Sequence, residues 1–118
     1  MNNITNIIDL FEKHVDRTAP EVKFRSINGV SFVDIPFNVV EDNGVYTWVY
    51  ITIVENNYHY RGVVDAIVGL KYDLSETLAI VLNYMDSPKT ARYKKAYDEL
   101  QDWRRNAKEF AKKHFGNA

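Results

Sequence analysis

The sequence predicts an α+β fold: an antiparallel four-stranded meander packed with an N-terminal helix and one or two C-terminal helices. Asn28-Gly29, Asn43-Gly44 and Asn56-Asn57 punctuate alternating apolar and polar residues, and Asn and Gly tolerate the positive φ of tight hairpin turns. The stretches before and after these turns instead carry apolar residues at helical spacing. The chain has 118 residues, 46% of them apolar and 14% aromatic, which favours a folded core over disorder. No linker, repeat or low-complexity tract divides it, so a single domain over 1–118 is expected.

Ile4, Ile7, Ile8, Phe11 and Val15 predict a short amphipathic helix over residues 4–15, closed by Asp16 to Pro20. A two-residue loop at Asn28-Gly29 then pairs Ile27 with Val30 and Phe24 with Val33. Pro36, which has no N–H to donate, falls where the first strand runs out. The loop at Asn43-Gly44 leads into Val45–Glu55, and a loop at Asn56-Asn57 into a long strand over 58–72, with Gly62 and Gly69 as bulges or bends.

Strand parity then sorts side chains onto two faces. The first holds Phe24, Val33, Ile35, Phe37, Tyr46, Trp48 and Tyr50, followed by His59, Arg61 and Asp65. The second begins polar, with Lys23, Arg25 and Asp34. It ends apolar, with Val49, Ile51, Ile53, Tyr58, Tyr60 and Val64.

Asp73-Leu74-Ser75-Glu76 matches a capping box, followed by Leu78, Val81, Leu82 and Met85 at helical spacing. A fifth strand over 77–84 is the rival reading, because Ile80 and Val81 are β-branched. Ser87-Pro88 marks the start of the last helix, with Ser as N-cap and Pro at the first position. Its apolar stripe is Tyr93, Ala96, Tyr97, Leu100, Trp103, Ala107 and Phe110, and Gly116 ends it.

Chemistry is sparse. There is no cysteine, which excludes disulfides and thiolate catalysis. No phosphate-cradling glycine loop, nucleophile elbow or other catalytic motif occurs, so a non-enzymatic role is favoured and no cofactor is expected. His14, His59 and His114 lack metal-ligand spacing, so no metal site is expected. The N-terminus lacks the pattern of a signal peptide and no apolar run reaches the length of a membrane helix, so a soluble cytoplasmic protein is the default expectation.

Three functional readings follow. The apolar half-face Val49, Ile51, Ile53, Tyr58, Tyr60 and Val64 needs a cover, which favours an interaction or assembly module docking a protein partner or a second copy of itself. Residues 88–118 carry a formal charge of +5 against −6 for the rest. Lys94, Arg105, Lys108 and Lys112 form a basic flank that could meet nucleic acid, although i,i+4 acid–base pairs along the helix favour a solvated face instead. The third reading is a small-ligand binder or enzyme with a sheet–helix pocket around Trp48, His59, Arg61 and Asp65. There, a His and an Arg at alternate strand positions could handle a proton and an anion.

Overall fold

A computed structural model describes residues 12–116 and shows an α+β fold with a four-stranded antiparallel sheet. The chain divides into two compact units, one of strands ending at Tyr58 and one of helices beginning at His59. The strands are β1 (His14–Asp16), β2 (Lys23–Ile27), β3 (Val30–Asp42) and β4 (Val45–Val54), in spatial order β1-β4-β3-β2.

Two of the three Asn turns are hairpins. Asn28 and Gly29 have φ of 51° and 81°, and Asn43 and Gly44 of 53° and 78°. These left-handed pairs fit two-residue loops that follow the twist of the strands they join. Ile27 meets Val30, Phe24 meets Val33, and Pro36 lies past the end of β2, all as the pattern predicts. The third signal is different: Glu55–Asn57 forms a single 3-10 turn, and no strand follows it.

The fourth strand therefore comes from elsewhere. β1 takes the open edge of β4, with His14 opposite Trp48 and Asp16 opposite Tyr46. Of the helix expected over 4–15, Glu12 and Lys13 are irregular and His14 and Val15 are extended, while residues 4–11 lie outside the described residues. Cross-strand contacts favour this choice, because the His14 ring stacks on Trp48 at 5.7 Å and meets Tyr50 edge-on at 4.8 Å.

One residue overturns the expected faces. Between Phe37 and Val40 the β3–β4 register slips, so that Val40 faces Thr47 but Phe37 faces Val49. Asn38 carries this bulge with φ of 58°, a left-handed conformation that Asn adopts more readily than a branched residue. Side chains alternate with period two, so a single extra residue moves the whole of β4 to the other face relative to β3. Val33, Ile35 and Phe37 thus share a face with Val49, Ile51 and Ile53. Except for half-buried Phe37, all of these are buried. Trp48 and Tyr50 lie on the opposite face, with Asp34 and Thr52.

That opposite face holds a buried carboxylate. Asp34 is bound by Arg25 Nε at 2.6 Å, by a second guanidinium nitrogen at 3.2 Å and by Thr52 Oγ1 at 2.6 Å. Burial alone would raise its pKa, but hydrogen bonds from Arg25 and Thr52 and the Arg25 and Lys23 charges outweigh it and hold Asp34 below its ordinary value. A depressed folded pKa means that the ionised group stabilises the fold at neutral pH. That contribution disappears as pH falls below about 4 and on through the lower folded value. Asp34→Asn is accordingly expected to lose about 1–2 kcal/mol at pH 7, with parent and variant converging in acid. Urea melts followed by Trp48 fluorescence in a Trp103→Phe background across that range check it, and an equal difference at every pH would contradict the assignment.

The helical unit comprises α1 (Tyr60–Gly69), α2 (Leu74–Asp86) and α3 (Ala91–His114), with α1 and α2 each packed on α3. Residues 60–69, read as strand, are helical: Tyr60, Val63, Val64, Ile67 and Val68 recur at i, i+3, i+4, i+7 and i+8, one helical face. His59 caps α1 by accepting the Gly62 N–H on Nδ1 at 3.1 Å. Asp73 and Glu76 form the expected capping box, at 2.7 and 3.2 Å, and α2 is helical throughout rather than a fifth strand.

The last helix begins three residues later than Ser87-Pro88 implies. Thr90 N–H donates to Ser87 O at 3.0 Å, so Pro88 occupies the second position of a β-turn, where its fixed φ is equally at home. Gly116, at φ of 71°, follows the end of α3 as predicted. The core of this unit is Val63, Val64, Ile67, Leu100, Trp103, Ala107 and Ala111, and Trp103 Nε1 donates to Ile67 O at 3.0 Å.

Candidate functional site

Two surfaces of the helical unit stand out, and both follow from which residues its core leaves uncovered. The first is the outer face of α2. Thr77, Ile80, Val81 and Tyr84 are half-buried, and Tyr84 stacks on Tyr97 of α3 with ring centroids 4.2 Å apart. Leu74, Leu78, Leu82 and Met85 sit on a neighbouring face and are 75%, 52%, 60% and 70% exposed. None of the residues of α2 is buried. The spacing i, i+4, i+8, i+11 aligns the four into one apolar stripe, about 16 Å long at the rise of an α-helix.

The second surface is a groove of about 780 Å³ walled by α1, the start of α2 and α3. Val64, Val68 and Leu74 contribute apolar walls, and Tyr60 and Tyr72 line it as well. Its charges are Arg61, Arg104 and Lys108 against Asp65 and Asp73. Arg61 lies 3.9 Å from Asp65 in an exposed i,i+4 pair, and the Asp73 carboxylate is engaged by the Glu76 N–H. Burial raises the Tyr72 hydroxyl pKa, and the Glu99 and Glu76 charges raise it further, so its phenol stays protonated and able to donate.

The residues singled out from sequence distribute unevenly over these surfaces. Arg61 and Asp65 do line the groove, but as neighbours on helix α1, not as a row on a strand. His59 has its Nδ1 committed to capping that helix. Trp48 belongs to the strand unit, is 7% exposed, and keeps its indole Nε1 without a hydrogen-bond partner among the described residues.

The apolar half-face does not exist as one sheet surface. Val49, Ile51 and Ile53 are buried in the sheet and Val64 is buried in α1, while Tyr58 and Tyr60 are half-buried. Of the basic flank, Lys94 is held by Asp98 at 2.7 Å and Arg105 by Asp102 at 2.7 Å; Lys108 and Lys112 are exposed. The basic flank expected from sequence does not include Arg104, and Leu78, Leu82 and Met85 are expected only as residues at helical spacing, with Leu74 inside the capping box. The signal for Arg104 was its spacing: an Arg four residues before a Lys, with no acid three or four positions away on either side.

Among the described residues, no helix is long and apolar enough to cross a membrane, and no three His, Asp or Glu side chains converge as a metal ion would require. No protein-family model matches the chain, and no curated protein or solved structure is significantly similar to it.

Proposed function

We propose that this protein is a protein–protein interaction module that docks its partner on the apolar stripe of α2. The observation that carries the proposal is the exposure of Leu74, Leu78, Leu82 and Met85 on one face of a helix with no buried residue. Full burial of one such side chain contributes roughly 2 kcal/mol, so a partner covering all four gains several. The stripe matches the anchor spacing of a helix-on-helix contact.

Charge favours a partner over a second copy. Asp73, Glu76 and Asp86 are the charged residues between Lys71 and Lys89. Antiparallel self-pairing of α2 brings Asp86 toward the Asp73 end of the other copy, and parallel pairing sets each acid beside its own equivalent. An amphipathic helix with Lys or Arg flanking its apolar face meets the same stripe with opposite charge.

The test is an NMR titration with a synthetic basic amphipathic helix of about 16 residues, beside light scattering of the protein alone. Shift changes confined to α2, lost in Leu78→Glu/Leu82→Glu with helicity intact, are the expected result. A dimer that the same double variant dissolves would replace the basic partner with a second copy. No response at about 1 mM peptide from a monomeric protein overturns the proposal.

A further inference from the structure

The groove between α1, α2 and α3 raises a separate question, because two members of a row of three cations on α3 line it. Arg104, Lys108 and Lys112 follow at i, i+4 and i+8, and like charges at that spacing destabilise a helix by a few tenths of a kcal/mol per pair. Lys94 and Arg105 are held in ion pairs of 2.7 Å with Asp98 and Asp102. Arg104 and Lys108 make no ion pair among the described residues, and no acid stands three or four positions from either. These two line the groove. The acids in the same groove have other partners, Asp65 the Arg61 guanidinium at 3.9 Å and Asp73 the Glu76 N–H.

From this we infer that the groove is a binding site for a small organic anion, with Arg104 and Lys108 holding a carboxylate or phosphate head. Val64, Val68 and Leu74 take its apolar body. A volume of about 780 Å³ falls within the range of small-molecule sites, which are mostly apolar with a few placed polar groups. The guanidinium offers a planar fork to two oxygens of the head, and the ammonium adds a mobile point charge. Arg61 stands in the same lining but is paired there with Asp65, so Arg104 and Lys108 are the groove's cations left to hold the head. Two sources of the head group share this chemistry, carboxylic acids and phosphate monoesters, and the probes separate them.

The experiment titrates the full chain at low salt with 4-phenylbutyrate and with phenyl phosphate, using 4-phenylbutanol and inorganic phosphate as controls, and follows amide shifts. Saturable binding of at least one aromatic anion is expected, with shifts at Tyr60, Val68, Tyr72 and Lys108. It should weaken about tenfold or more in Arg104→Gln/Lys108→Gln and fall as salt is added. The ligand-free double variant should melt at or above the parent temperature, because removing the like-charge pair relieves the helix. Leu78→Glu/Leu82→Glu should leave this binding unchanged, which separates the site from the α2 stripe. Absence of saturable binding by either anion, equal binding of the alcohol, or affinity untouched by the double variant overturns the inference. A lowered melting temperature also overturns it, since it would make the two cations structural.

Discussion

Trp103→Ala is expected to remove about 3–5 kcal/mol from the helical unit, enough to unfold a unit of ordinary stability. Trp103 is 3% exposed and forms part of the core that α1 shares with α3. Its Nε1 donates to Ile67 O at 3.0 Å, and the Lys71 amine lies over the ring at 5.8 Å. Truncation removes the largest apolar side chain in that core and opens a cavity that α1 and α3 cannot close without breaking their remaining contacts.

Trp103→Phe should cost much less. The Ile67 carbonyl keeps its bond from the Leu70 N–H at 3.1 Å, so no buried acceptor is orphaned. The measurement is a urea melt read by helical ellipticity. The chain holds two tryptophans, one in each unit, so Trp48 fluorescence in the same variant reports the strand unit separately. A loss below about 1 kcal/mol for Trp103→Ala would show that the core is not centred on this residue.

Ile35→Ala is expected to cost about 2–5 kcal/mol in the strand unit. Ile35 is fully buried and stands opposite Ile51 across the β3–β4 pair. The bulge at Asn38 makes a sharper test than the single variant does. With the bulge, Ile35 and Ile51 share a face, and Tyr50 points the other way. With unbroken parity from the Asn43-Gly44 turn, Ile35 would share its face with Tyr50 and Trp48. Double-mutant cycles distinguish the two: Ile35 should couple to Ile51 by about 0.5–1 kcal/mol and to Tyr50 by close to zero. The reverse pattern would place β4 in the other register.

The candidate surfaces were legible to different degrees. The sequence pointed to Arg61, Asp65 and Lys108 for separate reasons, two as part of a strand row and one as part of a basic flank. Only the packing of α1 and α3 brings the three to one groove. Leu78, Val81, Leu82 and Met85 were legible as one face of a helix, but that spacing does not say which of them are covered. Exposure is a property of the neighbours, and no residue within 74–86 reports that its outer face has none.

What the sequence determined by itself was local. The left-handed pairs at Asn28-Gly29 and Asn43-Gly44, the Asp73–Glu76 capping box, the long helix ending before Gly116 and the α+β class are all set by interactions within a few residues. Conformational preference and nearby hydrogen bonds decide them before any long-range contact forms. The tertiary structure alone decided pairing. His14–Asp16 supplies the fourth strand from thirty or more residues away, across a sheet edge that no turn signal marks. The bulge at Asn38 exchanges the two faces of β4. A strand's partner, its register and the face it buries are fixed by whichever distant segment satisfies its backbone and covers its side chains, and that choice is not written at the turn that starts the strand.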